Sequence, residues 1–550
     1  VAIGTNWHLR LYSSRGKLLW ARPLPTYLWA VNLTKDGRLI VVACADGTLR
    51  WHRSDTGEEI LAFFPHADGR RWVLWTAQGY YDCSPGAEDL IGWHVNSGKD
   101  EAANFFPASR FRNIYYRPDV VKRVLETLDA TEALRQANRA LGRPDAQPKQ
   151  MVGVIARLAP PVVELETGGL FGTLTLPADA TEVKLRYRVR QTGLEAPSKV
   201  SVRFNGRLIN VAAPLPQAGQ IAELSVPLPA GMAGEVSVFA EHRFAASEAA
   251  VLRIERQPSK VRPRRPNLYV VAVGVADLKM NDAADLDRDG HVTGEELERS
   301  SAFKEGTIAF SDLEHADNDA RQIADALEGQ KGRLYERVVT KLLLDKAATA
   351  PAVREALRNI ARDAEPEDVA VFFFSGHGVV DAKAGFYLAT HEVSTTAPAT
   401  SAITGAELAG LLEGIKARTV LALDTCHSGG AFGGTRFSKV ITSPQDLTGL
   451  VNQLSSAEQG TVVFSSSAAS QQSLEDPKKG GVFTQALRDG LVARPDSTDT
   501  VTCVGLQTWL TRRVPELVAA LVEGATDAPQ QTPACVIPKG VPDFLIAAPR

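Results

Sequence analysis

The chain's 550 residues are 44% hydrophobic and 23% charged, ordinary for globular protein and enough for three or four domains of about 100–200 residues each. A net charge of −3 argues against a general nucleic-acid binder, which would carry a basic domain. Five cysteines without CxxC spacing (Cys44, Cys83, Cys426, Cys503, Cys535) exclude a Cys-rich zinc site and a disulfide scaffold, and point to a reducing, cytoplasmic compartment. No apolar run approaches the ~18–20 residues of a membrane span. No signal peptide is visible, although the chain opens on Val1 rather than Met.

Residues 1–115 read as short strands with turn signals. Leu39 to Cys44 is followed by Ala45-Asp46-Gly47, then by Thr48 to His52 with Trp51, then by Asp55-Thr56-Gly57. A weaker copy runs from Val1 through Leu9-Arg10-Leu11-Tyr12 to Gly16. Strand, Asp-Gly turn and a strand ending near Trp resemble a WD-repeat propeller blade. Closing a propeller takes about four blades or more; two to three are visible, so the resemblance implies further blades upstream of Val1.

Residues 116–158 read as a helical connector, with Val120, Val121, Val124 and Leu125 at helical spacing after Pro118. Residues 159–256 alternate apolar and polar, as in Glu182 to Arg190 and Lys199 to Phe204, with a hairpin turn at Asn205-Gly206. That pattern predicts an immunoglobulin-like β-sandwich. Residues 257–266 form a basic, proline-rich linker.

From 267 to 550 the pattern becomes alternating strands and helices. Strands are expected at 268–275, 334–343, 369–378, 419–427 and 461–467. Helices are expected near 312–328, 351–362, 405–415, 482–492 and 505–523. The product is a mostly parallel sheet covered on both faces. Two of its apolar runs end at reactive side chains flanked by glycine: Ser375-Gly376-His377-Gly378 and, about 50 residues later, Asp424-Thr425-Cys426-His427-Ser428-Gly429. A parallel strand delivers catalytic residues to the carboxyl edge of a sheet in this way, and a His and a Cys so presented make a candidate thiol-protease dyad.

These motifs resemble the caspase-like cysteine peptidases, most closely the metacaspases, over about half the chain. The resemblance implies Cys426 as nucleophile, His377 as its general base and acid, and an oxyanion hole from the backbone N–H groups of Gly378 and Cys426. It also implies an S1 pocket lined by Asp319 and Asp424; Glu475 or Asp476, after the strand ending in Ser465-Ser466-Ser467, is placed to border it. Paired acids there select protein substrates with Arg or Lys at P1. His427 reads as structural. No cofactor is needed for the thiol chemistry itself.

Asp285-Leu286-Asp287-Arg288-Asp289-Gly290-His291-Val292-Thr293-Gly294-Glu295-Glu296 follows the EF-hand calcium-loop pattern. Asp285, Asp287 and Asp289 would supply side-chain oxygens, His291 its carbonyl, Thr293 a ninth-position contact and Glu296 a bidentate carboxylate, with Gly290 at the turn. The segment before Asp285 is too short for a full entering helix. Metacaspases are often calcium-activated through acids elsewhere in the domain; after His377 this chain offers only Asp381.

The fold expected is therefore multidomain: a propeller-like segment and a β-sandwich, both all-β and suited to recruiting protein partners, ahead of an α/β caspase-like domain. The activity expected is endopeptidase cleavage after Arg or Lys, with calcium at the acidic loop as a regulatory switch or a structural ion, and with bacterial antiviral defence or regulated cell death as the setting the resemblance implies. No nucleic-acid or membrane partner is expected. The rival reading is a non-catalytic scaffold with an inert peptidase fold. Self-cleavage would fall at Lys260–Val261, at Arg264–Arg265, or at Arg436 or Lys439.

Overall fold

The computed structural model describes residues 1–96, 103–144, 155, 157–168, 172–258, 264–300, 311–381, 385–394, 396–427, 445–456, 458–467, 471, 473–492, 500–522 and 530–548; at 298, 380, 381, 426, 427, 445 and 446 it describes the backbone alone. The chain divides into two compact units. The first comprises 1–161 with 191–197 and 241–247; the second comprises 162–190, 198–240 and 248–550.

The first unit holds a three-stranded antiparallel sheet (Ala2–Gly4, His8–Tyr12, Leu18–Pro23) and a six-stranded antiparallel meander running in chain order from Leu28–Leu33 to Tyr81–Cys83. The helices Pro118–Thr127 and Ala130–Ala140 bury Val120, Val121, Val124, Ala133 and Leu134 against Leu39, Ile60 and Leu61 of the meander. Pro118 opens the first of these helices, where its missing N–H costs nothing, and the side chain of Asp129 caps the second.

In the second unit, a sheet of Val162–Leu165, Glu182–Arg190 and Ala222–Pro227 faces another built on Thr173–Leu176, Ala250–Arg256, Gly234–His242, Lys199–Phe204 and Arg207–Ile209. Val183, Leu185, Tyr187 and Val189 point inward while Glu182, Lys184 and Arg186 stay outside, the period-2 pattern of a half-buried strand. Asn205 and Gly206 both take positive φ (50° and 79°), as the predicted hairpin turn requires. One pairing is parallel, Thr173–Leu176 with Ala250–Arg256.

The hairpin carries the sandwich onto the α/β domain. Arg207 is buried, and its guanidinium donates to the carbonyls of Leu412, Glu413, Ile415 (2.8 Å) and Gln459 (3.2 Å). It thereby closes the carboxyl end of helix Gly405–Glu413, whose last carbonyls have no helical partner. Arg203 forms an ion pair with Glu413 at 2.8 Å. Burial, reinforced by the neighbouring Arg203 charge, pushes the Arg207 pKa down to about 9.

The α/β sheet runs in the order Val338–Leu344, Leu268–Gly274, Val369–Asp381, Arg418–His427, Thr461–Ser465, Ala534–Val536. The first five strands are parallel and the last is antiparallel. Alternate side chains enter separate cores: Val371 and Phe373 on one face, Phe372 and Phe374 on the other. Double-faced burial explains why these strands read as unbroken apolar runs.

Five elements differ from the sequence expectation. The helix expected from 312 begins at Ala316, because the Asp312 carboxylate accepts from Leu278 and Val292 N–H groups rather than capping a helix. The strand expected from 334 begins at Val338, because Tyr335 is buried and its hydroxyl donates to the Ile546 carbonyl at 3.0 Å. Gly385–Leu388, Gln445–Leu454 and Ala534–Val536 had no counterpart in the pattern.

Of the expected self-cleavage positions, Lys260, Val261, Arg436 and Lys439 lie outside the described residues. The Arg264 side chain is engaged: it pairs at 2.8 Å with the buried carboxylate of Asp368, which also accepts from the Asn267 N–H.

Arg207→Ala would leave several buried carbonyls unpaired. It is expected to lower the stability of the second unit by ~3 kcal/mol, read as a lower denaturant midpoint with an unchanged first-unit transition.

Candidate active site

The strand Val369–Asp381 and the strand Arg418–His427 pair over ten consecutive positions, from Val369↔Arg418 to Gly378↔His427. In this register Ser375 stands beside Asp424, and two residues on, His377 stands beside Cys426. Backbone pairing alone therefore brings the two sequence-predicted reactive residues to one place at the carboxyl edge. Gly378 sits between His427 on one neighbouring strand and Leu388 on the other.

His377 is 3% exposed. Its Nε2 lies 2.8 Å from the carbonyl oxygen of Ser311. A carbonyl only accepts, so Nε2 carries the hydrogen and Nδ1 is the basic nitrogen. Burial pulls the imidazole pKa below its ordinary value, opposed by the Ser311 bond and by the negative charge of Asp312. The ring is accordingly neutral near pH 7, as a proton acceptor must be.

The two predicted pocket acids come together. Asp319, in the first turn of helix Ala316–Glu328, is 1% exposed, and Asp424 is 6% exposed. Asp319 accepts from Ser375 Oγ (3.1 Å) and from the Gly481 N–H (3.1 Å). Asp424 accepts from Ser473 Oγ (2.8 Å) and from both the N–H and Oγ1 of Thr484 (3.1 and 2.7 Å). Both carboxylates press on one backbone position: a Cβ at residue 481 would lie 2.3 Å from Asp424 Oδ2 and 2.9 Å from Asp319 Oδ2, so only glycine fits.

Glu475 belongs to the same cluster, on the short hairpin that pairs Glu475 with Gly481. Burial, then the Asp424 charge, pushes the Asp319 carboxyl up to about 8. Burial raises Asp424 as well, against its hydrogen bonds. Glu475 is pushed up to about 7 by burial and then by Asp424. Three like-charged acids in one buried place favour proton retention until a cation arrives.

Sequence reasoning missed the residues that hold this cluster. Ser375, Ser473, Thr484 and Gly481 supply its donors, and Gln531 braces Ser473 (3.2 Å) and the Leu474 N–H (2.9 Å). Only Ser375 carried a signal, two residues before His377 and hence on the same strand face. The Ser311 carbonyl carried none.

The acidic loop is formed. Carboxylate oxygens of Asp285, Asp287 and Asp289 lie within 4.8 Å of one another, and Gly290 takes φ +84° at the turn. Asp285 accepts from the N–H groups of Arg288 and Gly290, and Asp289 from that of His291. Thr293 and Glu296 make a reciprocal capping box at the start of the helix Gly294–Arg299, and Glu296 also accepts from the Leu286 N–H at 3.1 Å. Ahead of the loop stands only a short 3-10 turn, Lys279–Asn281. The three aspartates fit a hard cation; Thr293 and Glu296 are engaged with each other and would have to turn toward it.

Residues 302–535 match the family model described as caspase domain. This part of the chain is a caspase-like domain. Among solved structures, the chain is similar to a protein of Geobacter sulfurreducens (18% identity, covering 52% of this chain and 95% of that one, TM-score 0.31). It is also similar to caspase-1 of Spodoptera frugiperda (12% identity, 54% and 98%, TM-score 0.26). No curated protein matches the chain by sequence. The caspase domain family is one of cysteine peptidases, which act on protein substrates. Among the described residues no helix is long and apolar enough to cross a membrane.

The raised acid has a consequence for stability. Asp319 is neutral in both folded and unfolded chains below about pH 4. Above that the unfolded chain ionises first, so stability declines as pH climbs toward the folded value of about 8. Asp319→Asn is therefore expected to raise the melting temperature by about 2–4 °C at pH 8–9, with the gain vanishing near pH 4.

Proposed function

We propose that the chain is a cysteine endopeptidase that cuts proteins after Arg or Lys. The observation that carries this reading is the convergence of Asp319 and Asp424 on Gly481, with Asp424 two residues before Cys426 in the His377–Cys426 register. An Arg or Lys side chain of the substrate would supply the missing cation. An Arg guanidinium can be held bidentately by such acids.

The chemistry is ordinary thiol catalysis. The Cys426 thiol transfers its proton to His377 Nδ1, and the sulfur attacks the scissile carbonyl carbon. N–H groups of Gly378 and Cys426 would receive the oxyanion. The tetrahedral species collapses, the C–N bond breaks, and His377 returns its proton to the leaving amine. Water then hydrolyses the thioester, with His377 again as base, restoring the thiol.

Calcium is the regulatory ion this reading assigns to the loop 285–296, with Asp285, Asp287 and Asp289 as its core and the His291 carbonyl, Thr293 and Glu296 completing the set. The first unit would recruit protein partners. Its exposed Trp7, Tyr27 and Trp29 support that role. Defence or regulated cell death is the setting the family resemblance supplies.

Cys426→Ala and His377→Ala are each expected to abolish peptide cleavage with the fold retained, because the two act as a unit. Turnover by purified Cys426→Ala would remove the mechanism. In a peptide library P1 should be Arg or Lys, and Asp424→Ala should lose at least about tenfold more kcat/KM on Arg substrates than on neutral ones. A preference for Asp or an apolar residue at P1 would sink the pocket assignment. With the pocket acids raised, kcat/KM for Arg substrates should climb between about pH 6 and 8 as Glu475 and Asp319 ionise.

Calcium should raise the melting temperature of the wild-type protein relative to chelator and leave Asp285→Ala/Glu296→Ala unmoved. An identical melting temperature in calcium and chelator would count against binding at the loop.

A further inference from the structure

Asp312 is a buried carboxylate that the thiol mechanism does not itself call for. It follows Ser311, whose carbonyl holds His377 Nε2 at 2.8 Å. Its Oδ1 accepts from the Leu278 N–H (3.1 Å) and from Asn281 Nδ2 (2.8 Å). Its Oδ2 accepts from the Val292 N–H (2.8 Å), while its own N–H donates to the Val292 carbonyl (2.9 Å). The next residue is pinned as well, Leu313 N–H donating to the Ala276 carbonyl at 2.9 Å. Four residues from two chain segments thus hold Asp312 and Leu313, next to the peptide unit that presents the Ser311 oxygen.

We propose that Asp312 is the positioning residue for His377: it fixes the Ser311 carbonyl, and with it the ring's orientation and tautomer, and its charge stabilises the imidazolium that forms when Cys426 gives up its proton. The role rests on the reading of His377 and Cys426 as a catalytic pair. Two physical effects support it. A hydrogen bond to one ring nitrogen decides which nitrogen is basic, and a fixed anion near a buried imidazole favours its protonated form.

Among the described groups, the Asp312 charge acts on His377. Asp277, which lies 3.8 Å from His391, in turn feels the Asp312 charge. Because Val292 belongs to the acidic loop, Asp312 also joins that loop mechanically to the His377 ring. The pairing with the Val292 backbone is two-way, so a shift of the loop moves Ser311 with it.

The test uses the full chain with Asp312→Asn, which preserves size but removes the charge and one acceptor. The acid limb of kcat/KM on an Arg peptide is expected to move to lower pH. Its plateau should fall about tenfold or more, with KM for the peptide unchanged. The pH dependence of Cys426 alkylation by iodoacetamide should shift in the same direction without any substrate.

A merely structural role would lower the melting temperature and leave both pH profiles in place, and that result overturns the proposal. If Asp312→Asn does not fold, Asn281→Ala withdraws one donor while leaving the charge. It is then expected to lower kcat several-fold at constant KM; an unchanged kcat overturns the proposal equally. A wild-type chain that does not cleave would instead remove the peptidase reading, while the alkylation profile of Asp312→Asn still decides whether Asp312 governs His377.

Discussion

The site depends on one constraint, the parallel pairing of the His377 strand with the Cys426 strand. Parallel strands need long crossovers, so residues about 50 positions apart become neighbours only through the sheet. Ten consecutive pairs leave no freedom of register: a slip of one residue would turn Ser375 and His377 to the opposite face and exchange the two cores. Phe372, Phe373 and Phe374, all buried, make such a slip costly on both faces at once. The His377–Cys426 register is thus secured by hydrophobic packing several residues away from the pair.

The same register sets the acids, and here packing and function oppose each other. Asp319 and Asp424 are held out of water by Gly481, Ser473 and Thr484, which offer hydrogen bonds but no positive charge. The carboxyls respond by keeping their protons, as the rise of Asp319 to about 8 records. A pocket of this kind is destabilising when empty and becomes favourable only when a cation enters. On the proposed reading that asymmetry would convert burial into selectivity, since a neutral side chain would leave the desolvated acids unpaired.

A third consequence concerns the sandwich, for which the amino-acid pattern offers no chemistry. Its Asn205-Gly206 hairpin aims Arg207 into the end of helix Gly405–Glu413, where backbone carbonyls need donors. One buried guanidinium satisfies several carbonyls and seats this part of the sandwich on the caspase-like domain. A segment that reads as a spacer is therefore part of the domain's framework.

The local pattern of the chain determined the element types. Unbroken apolar runs leading to His377 and Cys426, a 3.6-residue period in Ala316–Glu328 and Ala350–Asp363, and a period of two in Glu182–Arg190 each report one chain segment meeting one environment. The acidic loop was legible for the same reason: its oxygens come from twelve adjacent residues. Asp319 and Asp424 were found only through their place in a family motif. Tertiary structure alone decided what joins distant segments: Gly481 between two carboxylates, Ser311 behind the imidazole, Asp312 clamped to Val292, and Arg207 across a domain boundary. Those contacts depend on sequence separations of tens to hundreds of residues and on backbone atoms that every residue carries. No periodicity records them, because a carbonyl oxygen has no signature until the fold aims a donor at it.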